Sequence, residues 1–314
     1  MSNPALRPPP EPSAATTYDE RWQRTRRRPL SSKQALLAAA LLAGGVGATH
    51  AAGPDSEPGA QPAEDFASSP TEPEAARGGG AGLLAPSPGT PWHLQLSGKL
   101  QEKSWATVYD IDLFDTPAAT LASLRSRGKV VHCYFSAGSF EDWRPDKASY
   151  PSSVLGKPMD GWPGERWVDI RSTALRNILL ARLDLAKSKG CAGIDPDNVD
   201  GYGHDTGFPL KQSDTVNFLR WLAGEAHRRG LSIGLKNGIE ILSQVAGSVD
   251  WAVNEQCHEY SECSAYRSFI SSGKPVFNVE YKGTLSTLCS KAKPLKLSTI
   301  KAPLSLNGPA DPCL

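Results

Sequence analysis

The sequence predicts a single (β/α)8 TIM barrel, on three observations: eight short strand-like runs, helical spacing in the stretches between them, and a glycine recurring just ahead of new runs. The runs are 107–111, 130–135, 167–170, 191–195, 232–235, 251–254, 275–279 and the short 304–306. Each is β-branched or apolar and is followed by polar loop residues, the pattern of a short strand.

Between them lie helical patterns over 117–127, 173–189 and 216–229. In the second, Leu175, Ile178, Leu179, Ala181, Leu183 and Leu185 recur at helical spacing. The closing pairs Arg127-Gly128, Lys189-Gly190, Arg229-Gly230 and Ser272-Gly273 are helix-stop signals, because glycine takes the left-handed conformation without a Cβ clash. Strands alternating with helices imply a parallel sheet, and eight such units imply closure. A doubly wound open sheet is the alternative, but it calls for a Gly-rich turn after the first strand, and residues 112–116 offer none.

The barrel is expected over residues 91–314, behind an export segment at 1–52 and a linker at 53–90. Five arginines in 21–28 precede an apolar run at 35–48 and then small residues at 51–52, the three parts of a signal peptide. The run contains Gly44, Gly45 and Gly47 and falls short of the ~20 apolar residues a bilayer span needs. A cleaved signal is therefore the reading, with a membrane anchor through 35–48 as the alternative. Residues 25–30 also resemble a twin-arginine signal. The linker is built of Pro, Gly, Ala, Ser and Glu, too little apolar surface to offset the entropy of ordering. The expected location is secreted, extracellular or periplasmic.

An oxidising compartment permits disulfides. Of the six cysteines, Cys257 and Cys263 are close enough to bridge locally, and Cys289 with Cys313 would tie the tail back. Cys133 and Cys191 lie inside strand-like runs and read as buried free thiols. No C-x2-C spacing occurs and the histidines are scattered, so no metal site is expected. The net charge of +1, from 34 basic and 33 acidic residues, gives no reason to expect a nucleic-acid partner. No stable protein partner is implied, and a monomer is expected.

Active sites of such barrels form at the carboxyl ends of the strands. Those ends supply Tyr109, Asp110 and Asp112; Tyr134, Ser136, Trp143 and Arg144; Asp169; Asp195, Asp197, Asn198, Asp200 and Tyr202; Lys236 and Asn237; Glu255; and Glu280 and Tyr281. Two carboxylates across a cleft can split a glycosidic bond, one protonating the leaving oxygen while the other attacks C1 or activates water. Aromatics beside them, Trp162 included, offer flat faces to sugar rings. The Asp and Asn residues of 195–201 equally suit turns and helix caps, and their spacing lacks the glycine and closing Glu of an EF-hand calcium loop.

Five ordered segments, 110–115, 133–146, 161–171, 195–202 and 254–257, resemble glycoside hydrolase family 114, the endo-α-1,4-polygalactosaminidases. The resemblance spans about residues 92–281. It implies a (β/α)8 fold, no cofactor, and endo-cleavage of α-1,4-linked galactosamine or N-acetylgalactosamine polymers, with retention favoured. Carried onto this sequence, it supplies Asp197 as nucleophile or base, with Asp195 in reserve for that role, and Glu255 as general acid; Glu280 is a weaker reserve. The acid is expected to be kept protonated by burial beside Trp251 or by neighbouring carboxylates. A deacetylated polymer is a polycation, which Asp110, Asp112, Asp169 and Asp200 would attract over long range. A carbohydrate-binding barrel without catalysis, or a hydrolase of another glycan, are the competing readings.

Overall fold

The computed structural model describes residues 86–314; the export segment, the anchor alternative and most of the linker lie outside the described residues. Among the described residues, no helix is long and apolar enough to cross a membrane. The chain forms β1 (Trp92–Gln95), β2 (Val108–Asp112), β3 (Val130–Ser136), β4 (Ser139–Glu141), β5 (Leu155–Pro158) and β6 (Glu165–Val168). It continues through β7 (Gly193–Asp197), β8 (Ser232–Lys236), β9 (Trp251–Glu255), β10 (Val276–Glu280), β11 (Ser298–Lys301) and β12 (Asp311–Pro312). The helices are α1 (Ala118–Ser126), α2 (Thr173–Lys189), α3 (Gln212–Arg228), α4 (Leu242–Val245), α5 (Arg267–Ser271) and α6 (Leu285–Ala292).

Eight strands run parallel in the order β1-β2-β3-β7-β8-β9-β10-β11, and β12 adds antiparallel to β11. The remaining three, β4-β6-β5, make a small antiparallel sheet inserted after β3. Side chains alternate across the barrel wall, as the two-residue period of a strand requires. Trp92, Leu94, Val108, Trp251, Val253, Phe277, Val279 and Ile300 pack together as an inner cluster. Ile111, Phe135, Ile194, Leu235 and Val276 turn the other way, into the layer that α1, α2 and α3 cover with Leu121, Leu175 and Leu219. His132 lies flat on Trp251 at 4.0 Å; burial pushes its imidazole down to about 3, so it is a neutral packing residue.

The eight-stranded barrel is as expected, but two of its strands come from other segments. The run at 167–170 overlaps β6, which belongs to the inserted sheet, and 304–306 is not a strand. Their places are taken by β1 and β11. β1 has polar His93 and Gln95 turned outward, and both are buried, with Gln95 accepting from the Gln101 amide and donating to the Ser97 and Lys99 carbonyls. That polarity hides the strand from a hydrophobicity pattern. The predicted helix stops hold: Gly128, Gly190, Gly230 and Gly273 all have positive φ.

The cysteines pair as Cys133–Cys191, Cys257–Cys263 and Cys289–Cys313. The expectation of free thiols at Cys133 and Cys191 is corrected. Cys133 sits on the outward face of β3 and Cys191 just ahead of β7, and these strands are neighbours, so a sequence gap of 58 closes to 5.9 Å between Cα atoms.

Candidate active site

β7, β8 and β9 each end on a charged residue, Asp197, Lys236 and Glu255. The β7–β8 ladder holds only Gly193↔Ser232 and Ile194↔Ile233, so the carboxyl ends of these two strands part above it. After each of the three charged residues the backbone turns left-handed, at Asn198 (φ 60°), Asn237 (φ 52°) and Gln256 (φ 66°). Asn tolerates this conformation because its short side chain bonds locally; for Gln it is strained. Gln256 is held by its amide to Glu259 at 2.8 Å, beside the Cys257–Cys263 bridge. At the first turn, Gly138 has no alternative: a Cβ there would stand 1.7 Å from the Asn198 carbonyl oxygen. The Gly138 and Ala137 amides both donate to the Asp197 carbonyl, at 3.1 and 2.9 Å, which fixes the strand end that aims the Asp197 side chain.

Lys236 Nζ lies 3.2 Å from Asp197 Oδ2 and 3.7 Å from Glu255 Oε2. The nearest oxygens of the two carboxylates are therefore no more than about 7 Å apart, close enough for both groups to reach one glycosidic bond. Tyr134 donates its hydroxyl to Asp197 Oδ2 at 3.0 Å, and the Asn198 amide donates to Oδ1 at 2.8 Å. Glu255 accepts from the Tyr281 hydroxyl and from Asn237 Nδ2 at 3.0 Å, while its own amide donates to Asn237 Oδ1. Burial raises Tyr134 well above its ordinary value, helped by Asp197, so it stays a neutral donor. Burial works against the Lys236 charge, but Asp197, Glu255, Asp195 and Asp110 around it raise it well above its ordinary value, so it stays an ammonium.

Glu255 departs from expectation. Burial pushes its carboxyl up, but Lys236 and the hydrogen bonds from Tyr281 and Asn237 outweigh that and hold it below its ordinary value. The Trp251 ring is stacked on His132. In the resting site Glu255 is ionised. Asp195, the reserve, lies with Asp110 on the barrel floor, both wholly inaccessible.

The remaining residues divide by position. Ser136 bonds Ser139 at 2.6 Å and accepts from Asn198 Nδ2 at 2.8 Å, which ties Asn198 to the β3 end. Asp112 and Arg144 form a buried pair at 2.6 Å, with Glu141 on the same guanidinium at 2.9 Å. Asp169 is bound by Arg171 through both oxygens. With Asp110 buried, Asp112 and Asp169 paired to arginines and Asp200 itself 3.4 Å from His204 Nε2, the acidic rim expected to draw in a polycation is reduced chiefly to the central carboxylates. Tyr202 donates to Glu240 at 3.1 Å. Trp143 and Trp162, on the insert between β4 and β6, are 47% and 43% exposed. Tyr109 faces the helices, its hydroxyl bonded to the Lys103 backbone, and is away from the cleft. Glu280 anchors the loop after β9, accepting from the His258 amide at 2.8 Å and from Asn278.

Sequence reasoning passed over Glu165 and Arg182. Glu165 accepts from Ser139 Oγ at 2.8 Å, and burial, with Glu141 nearby, pushes it up to about 8, so it is a neutral acid behind Tyr134. It lies within the 161–171 segment, but its partner Ser139 is 26 residues earlier and nothing local announces the contact. Arg182 of α2 is 2% exposed and donates to the Ser136 carbonyl at 2.6 Å and to Asp146 at 2.7 Å. It sits beside Ala181, the position expected to be apolar, which is exposed.

Comparison with known proteins gives the family and the fold. The model of glycoside-hydrolase family GH114 matches residues 73–314. The crystal structure of Aspergillus fumigatus Ega3 in complex with galactosamine is 44% identical, covers 74% of this chain and 98% of its own, and superposes with a TM-score of 0.71. The glycoside hydrolase domain of PelA from Pseudomonas aeruginosa shares the fold at 14% identity and a TM-score of 0.59, over 71% of this chain and 98% of its own. An uncharacterized protein of Deinococcus radiodurans is 26% identical over 270 residues, 71% of this chain and 87% of its own.

Proposed function

The chain belongs to glycoside hydrolase family GH114, and on that premise we propose that it cleaves α-1,4-linked galactosamine or N-acetylgalactosamine polymers internally, with Asp197 as nucleophile and Glu255 as general acid and base. The observation that carries this reading is the Lys236 bridge, which holds two carboxylates from different strands at one cleft. Asp197, steadied by Tyr134 and the Asn198 amide, attacks C1 of the sugar as the bond to the leaving oxygen breaks. Glu255 gives its proton to that oxygen, and then removes one from the water that hydrolyses the glycosyl ester on Asp197.

Because Glu255 rests ionised, it must gain its proton as substrate arrives. Its side chain is 24% exposed, and a sugar covering that surface removes water from the charge and raises its proton affinity. The rate constant for free enzyme and substrate therefore falls as pH rises above the Glu255 pKa. The similarity to Ega3, solved with galactosamine, supports an amino sugar as the unit recognised. The three disulfides suit an oxidising compartment, and export through the amino-terminal segment is part of the proposal.

A substrate panel tests it. The protein is expected to release oligosaccharides of several lengths from an α-1,4-galactosamine polymer and none from glucan, chitin or chitosan. Hydrolysis of one of those others with the galactosamine polymer untouched would reject the substrate assignment.

A further inference from the structure

Beneath Asp197 and Glu255, the barrel floor holds two more carboxylates with no place in the reaction above. Asp110 of β2 and Asp195 of β7 are each 0% exposed, and among the described residues none of their four oxygens has a backbone or side-chain donor aligned on it. Two ionised carboxylates so placed are costly, because burial without hydrogen bonds penalises charge and like charges add to the penalty.

The groups facing them are few. β8 supplies Lys236 and β7 supplies Asp197, with Glu255 of β9 beyond. β3 supplies the neutral His132 and the neutral Tyr134. β1, β10 and β11 contribute apolar Leu94, Val279 and Ile300 to the interior. Among the described residues one ammonium thus serves four carboxyl groups, and full ionisation would leave a large buried excess of negative charge.

We propose that Asp110 and Asp195 share one proton, and that the single negative charge left on the pair positions Lys236 and sets the acidity of Glu255. A proton on either carboxyl lets it donate to the other, giving the pair the hydrogen bond that both lack when ionised. Burial first, then the Asp195 charge for Asp110 and the Asp197 charge for Asp195, raise both above the ordinary carboxylate value, against the pull of Lys236. These are positioning residues: they reach the sugar only through Lys236, Asp197 and Glu255. The inference rests on the assignment of Asp197 and Glu255 above.

The sign of the effect follows from charge. Each negative charge near Glu255 makes its ionisation harder, so removing one lowers its pKa. Asp110→Asn or Asp195→Asn keeps one carboxylate and one amide donor, the same charge as the half-protonated pair. The double variant removes the charge altogether.

The test is the pH profile of kcat/KM on an α-1,4-galactosamine oligomer for the full chain, its two single Asn variants and the double variant, with infrared difference spectra at neutral pH. The single variants should keep kcat/KM within roughly threefold in acid, with the alkaline limb in place, and each should lack one protonated-carboxyl band. The double variant should move that limb to lower pH by about one unit, a tenfold change in the acid's equilibrium. A merely structural role would lower kcat at every pH without moving the limb. A double variant with the wild-type limb, or single variants with no band lost, overturns the proposal. Should Asp195→Asn be folded but inactive at all pH while Asp197→Asn stays active, the nucleophile assignment fails instead, and the infrared band still decides whether the proton is shared.

Discussion

Lys236 Nζ stands between two carboxylates, 3.2 Å from Asp197 and 3.7 Å from Glu255, and its side chain is only 3% exposed. Among the described residues it is the one cation in contact with both, so its removal leaves two partly buried negative charges facing each other. Lys236→Met should raise the Glu255 pKa, shift the alkaline limb of kcat/KM to higher pH, and slow turnover by about 10²-fold or more through misplacement of both groups. A profile measured across pH checks this; an unmoved limb would contradict the role given to Lys236.

Arg144 lies under the insert with Asp112 at 2.6 Å and Glu141 at 2.9 Å, all nearly inaccessible. Removing one partner of a buried ionic cluster costs about 3–5 kcal/mol because the charges left behind stay unpaired. Arg144→Met should lower stability by that amount in urea unfolding. A loss under about 1 kcal/mol, the scale of a surface pair, would show that the cluster is solvated.

Glu165 gives a pH-dependent stability. Its folded value, pushed up to about 8 mainly by burial, exceeds the ordinary 4.5, so between these values the folded protein binds more protons than the unfolded chain. Stability must therefore fall as pH rises through that window. Glu165→Gln removes the titration, and its melting temperature should fall less than that of the wild type between pH 5 and pH 8.5, by several degrees at roughly 2–4 °C per kcal/mol. Parallel curves for the two proteins would show that Glu165 is not the titrating group.

The Cys133–Cys191 bridge joins β3 to the entry of β7 across 58 residues that include the whole inserted sheet and α2. Replacing both cysteines by alanine should destabilise the domain by about 2–5 kcal/mol. Equilibrium unfolding of the double variant measures it, and an unchanged midpoint would mean that the bridge constrains nothing.

Much of the architecture was legible because parallel strands and their covering helices leave periodic apolar patterns and glycine stops. α2 was read to its last residue, since Gly190 takes the left-handed cap that ends it. β1 and β11 were not legible: they close the barrel seam, and the outward faces of β1 carry buried His93 and Gln95 where a pattern looks for apolar residues. At the site, residues ending strands could be named in order, so Asp197, Lys236, Asn237, Glu255 and Tyr281 were all singled out and lie together. What escaped were contacts made across the fold. Tyr109 and Asp110 are adjacent in β2, yet alternation sends one to the helices and the other to the barrel floor. Spacing could not say which, nor that Glu255 would find three partners that favour its charge.

In the proposed reaction Asp197 and Glu255 act as a pair on one sugar bond. The most direct measurement is turnover of α-1,4-galactosamine oligomer by Asp197→Asn and Glu255→Gln, each shown to melt as the wild type does. Both should lose at least about 10³-fold in kcat/KM, and azide should restore cleavage by Asp197→Asn as a glycosyl azide. If either variant keeps a tenth or more of wild-type turnover, the pair is not the catalytic one.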